Sequence, residues 1–200
     1  MKNIVTLFAF VFLSSFTTLA PTAYAQSGVA GMWTTASSYG FNPRYWFTVS
    51  VVDDKIYAIG GTDATNMVTD VDMYDPSSDS WTTLSTTGTF TPRIALTSCV
   101  VNGKIYVLGG SVGPETPANM SNLVEVFDPA TNSWSTPQTT GKFTPRCVLA
   151  SAAVNGKIYA IGGYSGVQDL NILEMFDPST NTWSTPKTTG TFTPRGAFPA

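Results

Sequence analysis

The stretch Lys104-Ile105-Tyr106-Val107-Leu108-Gly109-Gly110 is an apolar run that ends in a pair of glycines. Asp128-Pro129, Trp134 and Pro145-Arg146 follow it in that order. The same features recur before and after it, as Gly60-Gly61, Asp75-Pro76, Trp81 and Pro92-Arg93, and as Gly162-Gly163, Asp177-Pro178, Trp183 and Pro194-Arg195. The copies are 49 to 53 residues apart. Repetition at this period predicts stacked units, none of which buries its apolar face alone.

The N-terminal segment differs in composition from the repeats. Lys2 precedes a mainly apolar run from Ile4 to Phe16, and Ala23-Tyr24-Ala25 follows, a pattern typical of a secretory signal peptide. We therefore expect residues 1–25 to be removed and the chain from residue 26 onward to be secreted or periplasmic. The apolar run is shorter than the roughly 20 residues that span a bilayer, so we expect no membrane span after cleavage.

Composition and charge limit the classes of function. The 200 residues are 12% aromatic and 12% charged, which allows a packed core. Loss of Lys2 leaves nine basic and thirteen acidic side chains, a net charge of −4, and no basic cluster, so a nucleic-acid partner is not expected. The chain has no histidine. This removes the usual imidazole base, most zinc sites and any Ser-His-Asp arrangement, and we expect no cofactor.

The two cysteines occupy different positions in the repeat. Cys99 lies six residues after Arg93, whereas Cys147 lies one residue after Arg146. Equivalent strands would place them roughly 16 Å apart along the strand direction, which is too far for a disulfide. We expect two separate buried thiols.

Alternating apolar residues and turn residues divide each repeat into four short strands, named a to d in chain order. Strand a is predicted at 47–52, 94–101 and 147–154. Asn102-Gly103 and Asn155-Gly156 then predict two-residue hairpin turns, and Asp53-Asp54 stands in the same place. Strand b ends at each glycine pair and strand c ends at each Asp-Pro, where the carboxylate is placed to accept backbone N–H groups. Strand d begins at each tryptophan, which is expected to lie in the core between units.

These residues resemble Kelch repeats. The resemblance rests on the glycine pair, the tyrosine three residues before it, the aromatic-Asp-Pro and the tryptophan six residues after the aspartate, and it covers about residues 32 to 200. It implies an all-β fold, a β-propeller of four-stranded antiparallel blades around a central channel, commonly with six or seven blades.

The resemblance also implies how the repeats divide the chain. Residues 26–200 would form a Kelch-repeat segment with three complete blades, at about 44–92, 93–145 and 146–194. A lone outer strand at 32–36 would precede them, and a fourth repeat would start at 195–200. Because three blades are fewer than the four to eight that close a ring, we expect an incomplete ring, a fragment of a longer protein, and association through open strand edges.

Length variation indicates where binding takes place. The interval from the second glycine to the aspartate is 14, 18 and 14 residues, while the other intervals are constant in the three repeats. All the variation therefore falls in the b–c loops, and variable loops on a fixed scaffold usually carry specificity. In an antiparallel blade the b–c loops share a face with the d–a segments, whose Thr-Thr-Gly-x-Phe-Thr-Pro-Arg sequence is repeated.

The candidate ligand-binding residues lie on this face. One set repeats and would form a ring of guanidinium groups suited to acidic ligands, although the same regularity fits structural ties within the blades: Arg44, Arg93, Arg146 and Arg195. The other set differs between copies and suits specificity: Asp63, Asn66, Glu115, Asn119, Gln168 and Asp169. A third set of acids precedes the turn aspartates by three residues, and we expect it to be exposed: Asp72, Glu125 and Glu174.

Two functions follow from this reading. The first is an exported Kelch-repeat protein that binds a protein or a glycan through its b–c and d–a loop face, without catalysis. The second is a carbohydrate-active propeller enzyme of the sialate mutarotase type, with part of its site in missing blades. No residue of the sequence qualifies as catalytic, and no metal site is expected.

Overall fold

The computed structural model describes residues 34–196, and regular structure there is almost entirely β. The strands of the first sheet are β1 (Thr48–Val52), β2 (Lys55–Ile59), β3 (Val71–Asp75) and β4 (Ser80–Thr83). Those of the second are β5 (Thr97–Val101), β6 (Lys104–Leu108), β7 (Val124–Asp128) and β8 (Ser133–Ser135). Those of the third are β9 (Ala150–Val154), β10 (Lys157–Ile161), β11 (Leu173–Asp177) and β12 (Thr182–Ser184). A single 3-10 turn, Pro117–Asn119, lies between β6 and β7.

Each sheet is an antiparallel meander in chain order, which confirms the predicted four-stranded blades. We call the sheets blades 1, 2 and 3. Strand β1 contacts β5 and β5 contacts β9, so the first strands of successive blades lie side by side. The three blades do not close a ring. The predicted signal peptide lies outside the described residues, as do residues 32 and 33 of the predicted outer strand at 32–36 and residues 197–200 of the fourth repeat. Residues 34–36 are described and do not form a strand.

The hairpin turns between the first two strands of each blade have the predicted geometry. Asn102 and Gly103 both adopt positive φ, at 51° and 73°, and Asp53 and Asp54 do so at 50° and 60°. Asparagine, aspartate and glycine tolerate this left-handed region better than other residues. The turns therefore fix the register in which Val101 faces Lys104.

The predicted start of the first strand is wrong in blades 2 and 3, where β5 and β9 begin three residues later, at Thr97 and Ala150. The reason is a left-handed residue two positions after each arginine, Ala95 with φ 53° and Val148 with φ 52°. This conformation is uncommon for alanine and strained for valine. It lets the Val148 N–H donate to the Ala95 carbonyl, and the Ala95 N–H donate to the Trp46 carbonyl, both at 2.8 Å. Backbone hydrogen bonds thus join successive blades.

The glycine pairs are needed because two chain segments approach them closely. The Gly110 N–H donates to the Arg146 carbonyl of the next blade at 2.9 Å. A Cβ on Gly109 would lie 2.7 Å from the same Arg146 oxygen, and Gly109 has φ 60°. A side chain at this position would therefore clash with the neighbouring blade as well as strain the backbone.

The apolar core lies between blades. One cluster joins residues of blades 1 and 2: Val52, Tyr57, Ile59, Val71, Phe90, Leu96, Ile105, Val107, Phe127 and Trp134. A second joins blades 2 and 3: Cys99, Val101, Leu108, Val124, Phe143, Leu149, Ile158, Ala160, Phe176 and Trp183. Trp134 stacks on Phe90 and Trp183 on Phe143, with ring centroids 4.6 and 4.1 Å apart. Both tryptophans are buried as predicted, whereas Trp81 in blade 1 is only half-buried.

Both cysteines are free and buried, which confirms the prediction of two separate thiols. Burial raises the pKa of each thiol, that of Cys147 to about 12. A thiol with a raised pKa carries little thiolate at neutral pH and is a poor nucleophile.

The Asp-Pro turns also have the predicted hydrogen bonds. Oδ1 of Asp177 accepts the backbone N–H and the hydroxyl of Ser179, at 3.0 and 2.6 Å, and Asp75 does the same with Ser77. The other oxygen of Asp177 pairs with Nζ of Lys157. The Lys157 hydrogen bond, with the Ser179 bonds, lowers the pKa of Asp177 from 3.8 to about 2.

We expect Gly109→Ala to destabilise the fold more than Gly103→Ala. Both positions have positive φ, which costs an alanine roughly 1–2 kcal/mol, but a Cβ at Gly103 meets nothing within 4 Å. The difference between the two variants in chemical unfolding isolates the clash with Arg146. Equal losses would contradict the close approach of the blades.

We expect stability to fall as the pH decreases from about 4 to about 2, because Asp177 has a lower pKa folded than unfolded and loses its lysine partner when protonated. The same direction applies to Asp75 and Asp128. Thermal melting over this range should show a shallower loss for Asp177→Asn than for the wild type. Identical slopes would show that the Lys157 pair does not form.

Candidate functional site

The repeated arginines of the three blades form buried ion pairs inside their own blade. Arg93 pairs with Glu125 and Arg146 with Glu174, and each arginine side chain is fully buried. Arg44 pairs with Asp72 in blade 1, where both side chains are fully buried. Burial lowers the pKa of each of the three arginines, and the paired carboxylate opposes that shift.

Each pair anchors the segment that enters the blade to the strands behind it. Arg93 Nε donates to the Gly109 carbonyl at 2.7 Å, which joins it to the end of β6. Glu125 Oε1 accepts the backbone N–H and the hydroxyl of Thr91, at 3.0 and 2.9 Å. The Arg93 guanidinium also lies 5.2 Å from the ring centroid of Phe90. The Thr-Pro-Arg sequence is therefore used to build the blade.

The expectation that the third acidic set is exposed is wrong, because Asp72, Glu125 and Glu174 are all buried. A buried carboxylate needs an opposite charge, and the arginine supplies it. The sequence held a signal for this pairing. The distance from arginine to acid is 28, 32 and 28 residues, so it changes in step with the length of the b–c loop.

Arg195 has a different environment from the other three. It is exposed, and its Nε donates to the Thr193 carbonyl at 3.2 Å. The predicted ring of guanidinium groups is therefore not presented to solvent by blades 1 to 3. Arg44, Arg93 and Arg146 are enclosed by protein atoms, whereas the Arg195 side chain is exposed.

We call the surface made by the b–c loops and the d–a segments the variable face. Its b–c loops span 62–70, 111–122 and 164–171, and its d–a segments span 86–93, 139–146 and 188–195. In blade 1, Asp63 accepts the backbone N–H groups of Thr65 and Asn66 at 2.8 and 2.7 Å. These hydrogen bonds, that of Asn66 first, lower the pKa of Asp63. Both Asp63 and Asn66 are exposed, so the carboxylate shapes the loop and still faces solvent.

The longer loop of blade 2 is more enclosed. Asn119 is half-buried, and its side-chain amide donates to the Pro114 carbonyl at 2.8 Å. Glu115 is also half-buried and lies near enough to Cys147 to raise the pKa of that thiol further, after the larger effect of burial. Under this loop Met120, Cys147 and Val148 form a small buried cluster. The loop is thereby packed onto blade 3.

The loops of blades 2 and 3 form a continuous surface. Gly166 adopts φ 86°, and a Cβ there would lie 2.6 Å from the carbonyl carbon of Thr116. Gln168 and Asp169 are exposed in the same loop of blade 3. The structure thus brings the loops that carry four of the candidate residues together, while Asp63 and Asn66 stay with the loop of blade 1. Nothing in the repeat pattern predicted the contact at Gly166.

Two exposed apolar residues of the variable face were missed by the sequence analysis. Val167 is 73% exposed and Val112 is 44% exposed, each in a b–c loop beside polar candidates. Their equivalents in the other repeats are not valines at fixed spacing, so periodicity gave no signal for them. Exposed apolar groups among polar ones are a common feature of protein interfaces.

The opposite face carries the short uniform turns and a shallow cleft of about 300 Å³ between blades 2 and 3. Asn102, Tyr106 and the Lys157–Asp177 pair line it. Within residues 34–196 no three Cys, Asp or Glu side chains come together as a metal site. The same part of the chain contains no helix with the length and hydrophobicity needed to cross a bilayer.

A comparison with known families matches residues 24–199 to the model described as the KLHDC2/KLHL20/DRC7 Kelch-repeats domain. No curated protein matched the chain. The family match covers all three blades, so the repeat assignment does not depend on any one of them.

We expect Arg93→Met to reduce stability by about 3–5 kcal/mol, because it leaves the Glu125 carboxylate buried without an opposite charge. The double variant Arg93→Met with Glu125→Leu should recover most of this loss, since it removes both charges. Arg195→Met is the matched control and should change little, because Arg195 is exposed. Urea unfolding measures all three, and a loss for Arg195→Met as large as that for Arg93→Met would contradict the structural role.

Proposed function

The chain belongs to the Kelch-repeat family, and on that premise we propose that it binds a protein partner through the variable face. Kelch-repeat domains are protein-interaction propellers, which makes a protein ligand the first expectation. The observation that carries the proposal is the contrast between repeated and unrepeated residues. Three of the four repeated arginines are buried in ion pairs, whereas four of the six residues that differ between blades, Asp63, Asn66, Gln168 and Asp169, are exposed on one face.

The chemistry of the variable face supports a protein ligand. Val112 and Val167 offer apolar contact area, and the loop of Val167 also carries the exposed polar residues Gln168 and Asp169. Interfaces commonly combine an apolar centre with a polar rim. The contact at Gly166 holds the loops of blades 2 and 3 together, which lowers the conformational cost of binding.

Two alternatives remain as hypotheses. A glycan ligand would use the same polar residues, and Lys142 and Arg195 are exposed cations of the d–a segments that suit an acidic sugar. An enzyme of the sialate mutarotase type needs an acid and an arginine open to the substrate. The Arg–carboxylate pairs within residues 34–196 are buried and enclosed, so they do not favour it.

We also propose that the protein is exported, with cleavage after Ala25. The free thiols are compatible with an oxidising compartment because both are buried and have raised pKa values. Mass spectrometry of protein from the culture medium or periplasm should give a chain that begins at Gln26. Recovery of an intact N-terminus would contradict export.

Binding to the variable face is tested with matched aspartate substitutions. The wild-type chain is immobilised and challenged with the extracellular proteins of its source cells and, separately, with a glycan array. We expect a protein to be retained, with affinity reduced about tenfold or more by Val167→Asp, since a charge in a buried interface costs at least ~1.4 kcal/mol.

Ala130→Asp is the control, because Ala130 is exposed on the c–d turn of blade 2, on the opposite face. It should leave the affinity unchanged. Binding only to glycans would favour the first alternative, and turnover of sialic acid anomers would favour the second. Equal effects of Val167→Asp and Ala130→Asp would contradict the assignment of the face.

A further inference from the structure

The cleft between blades 2 and 3 lies on the face opposite the b–c loops. Its volume is about 300 Å³, which is at the lower end of the range for small-molecule pockets. Both of its walls belong to complete four-stranded sheets, so the cleft is a feature of an internal interface. Polar side chains of both blades line it: Asn102, Tyr106, Asn155, Lys157, Asp177 and Ser179.

The tyrosine of this cleft is more open than its equivalent in the preceding blade. Tyr57 is 5% exposed, whereas Tyr106 is half-buried. Tyr106 contacts Phe176 of blade 3, with ring centroids 6.2 Å apart. In the same cross-strand row as Phe176 lies Ala153. Blade 2 has Val100 at that position, packed against the core cluster that contains Tyr57. The interface between blades 2 and 3 therefore has a smaller side chain in the row that meets its tyrosine.

Three polar side chains of the cleft are available to a ligand. Within residues 34–196 the carboxamides of Asn102 and Asn155 and the hydroxyl of Tyr106 make no hydrogen bond to protein. The hairpin turn does not require an amide, because Asp53 adopts φ 50° at the position where Asn102 has φ 51°. Each carboxamide both donates and accepts hydrogen bonds, and so does the phenol. The cleft thus offers donors and acceptors that the fold itself leaves unused.

The charged groups of the cleft balance each other. Nζ of Lys157 pairs with one oxygen of Asp177, and the other oxygen accepts hydrogen bonds from Ser179. The side chains of Lys157 and Asp177 are 38% and 22% exposed, so both still reach solvent. In the interface between blades 1 and 2, Asp53 stands in the position of Asn102 and adds a negative charge. The neutral lining between blades 2 and 3 suits a neutral ligand with several hydroxyl groups better than an ion.

From these observations we propose that the cleft binds a neutral sugar unit. Sugar hydroxyls both donate and accept hydrogen bonds, which matches the two carboxamides, the phenol and the Lys157–Asp177 pair. The ring of Tyr106 and Pro178 supply apolar surface for the C–H groups of the sugar. The cleft and the variable face lie on opposite faces, so a sugar bound here does not compete with a protein partner bound there.

Titration of the isotope-labelled full chain with glucose, galactose, mannose and N-acetylglucosamine tests the proposal by NMR. We expect at least one of these sugars to shift the side-chain amide signals of Asn102 and Asn155. The amide signals of Asn66 and Asn119 on the variable face should not move. Tyr106→Phe and Asn102→Gly should each weaken the affinity about fivefold, because each removes one hydrogen-bonding group.

Tyr57→Phe and Asp53→Gly are the matched controls, because they change the same two repeat positions one blade earlier, outside the cleft. Glycine suits the left-handed conformation at positions 53 and 102, so both turns are kept. The controls should leave sugar affinity unchanged, and so should Val167→Asp, which separates this proposal from protein binding at the variable face. The cleft is overturned as a sugar site if none of these sugars shifts its amides, if Asn66 and Asn119 shift in their place, or if the controls weaken binding equally.

Discussion

The blades of this protein bury their apolar residues against one another. Each sheet is four short strands, with too few inward residues to enclose a core, so the core clusters consist of the facing surfaces of two blades. The close approach of the backbones of neighbouring blades makes this packing possible. The glycine pair at the end of the second strand admits the arginine carbonyl of the next blade, and the left-handed residue after the arginine adds a hydrogen bond between blades.

The buried Arg–carboxylate pairs also constrain the structure of each blade. Burial of a guanidinium without a partner in the interior of a blade would be strongly unfavourable. In each blade an acidic side chain of the same blade pairs with the arginine. The pairing holds the entering segment against the blade, because the same carboxylate accepts hydrogen bonds from Thr91 or Thr144. Charges that repeat in every blade are therefore part of the scaffold, and the residues left for recognition are those that break the repeat.

Polar side chains of the first strands also take part in the packing between blades. The Ser98 hydroxyl of blade 2 lies between those of Thr48 and Ser50 of blade 1, and the Ser151 hydroxyl of blade 3 lies between the side chains of Thr97 and Cys99 of blade 2. The b–c loops lie beyond the strand ends, so the contacts between the first strands of the blades do not constrain their sequences. Their sequences vary in length and polarity, and Gly166 is the position at which two of them meet.

The sequence by itself determined the repeat, the four strands of each blade, the hairpin turns and the burial of Trp134 and Trp183, because these depend on local patterns that occur three times. Only the tertiary structure decided which charged side chains are buried. Asp72, Glu125 and Glu174 were expected to be exposed because they are charged, and their burial depends on an arginine that is 28 to 32 residues earlier in the chain. The meeting of the loops at Gly166 likewise depends on the distance between blades 2 and 3, which no local pattern encodes.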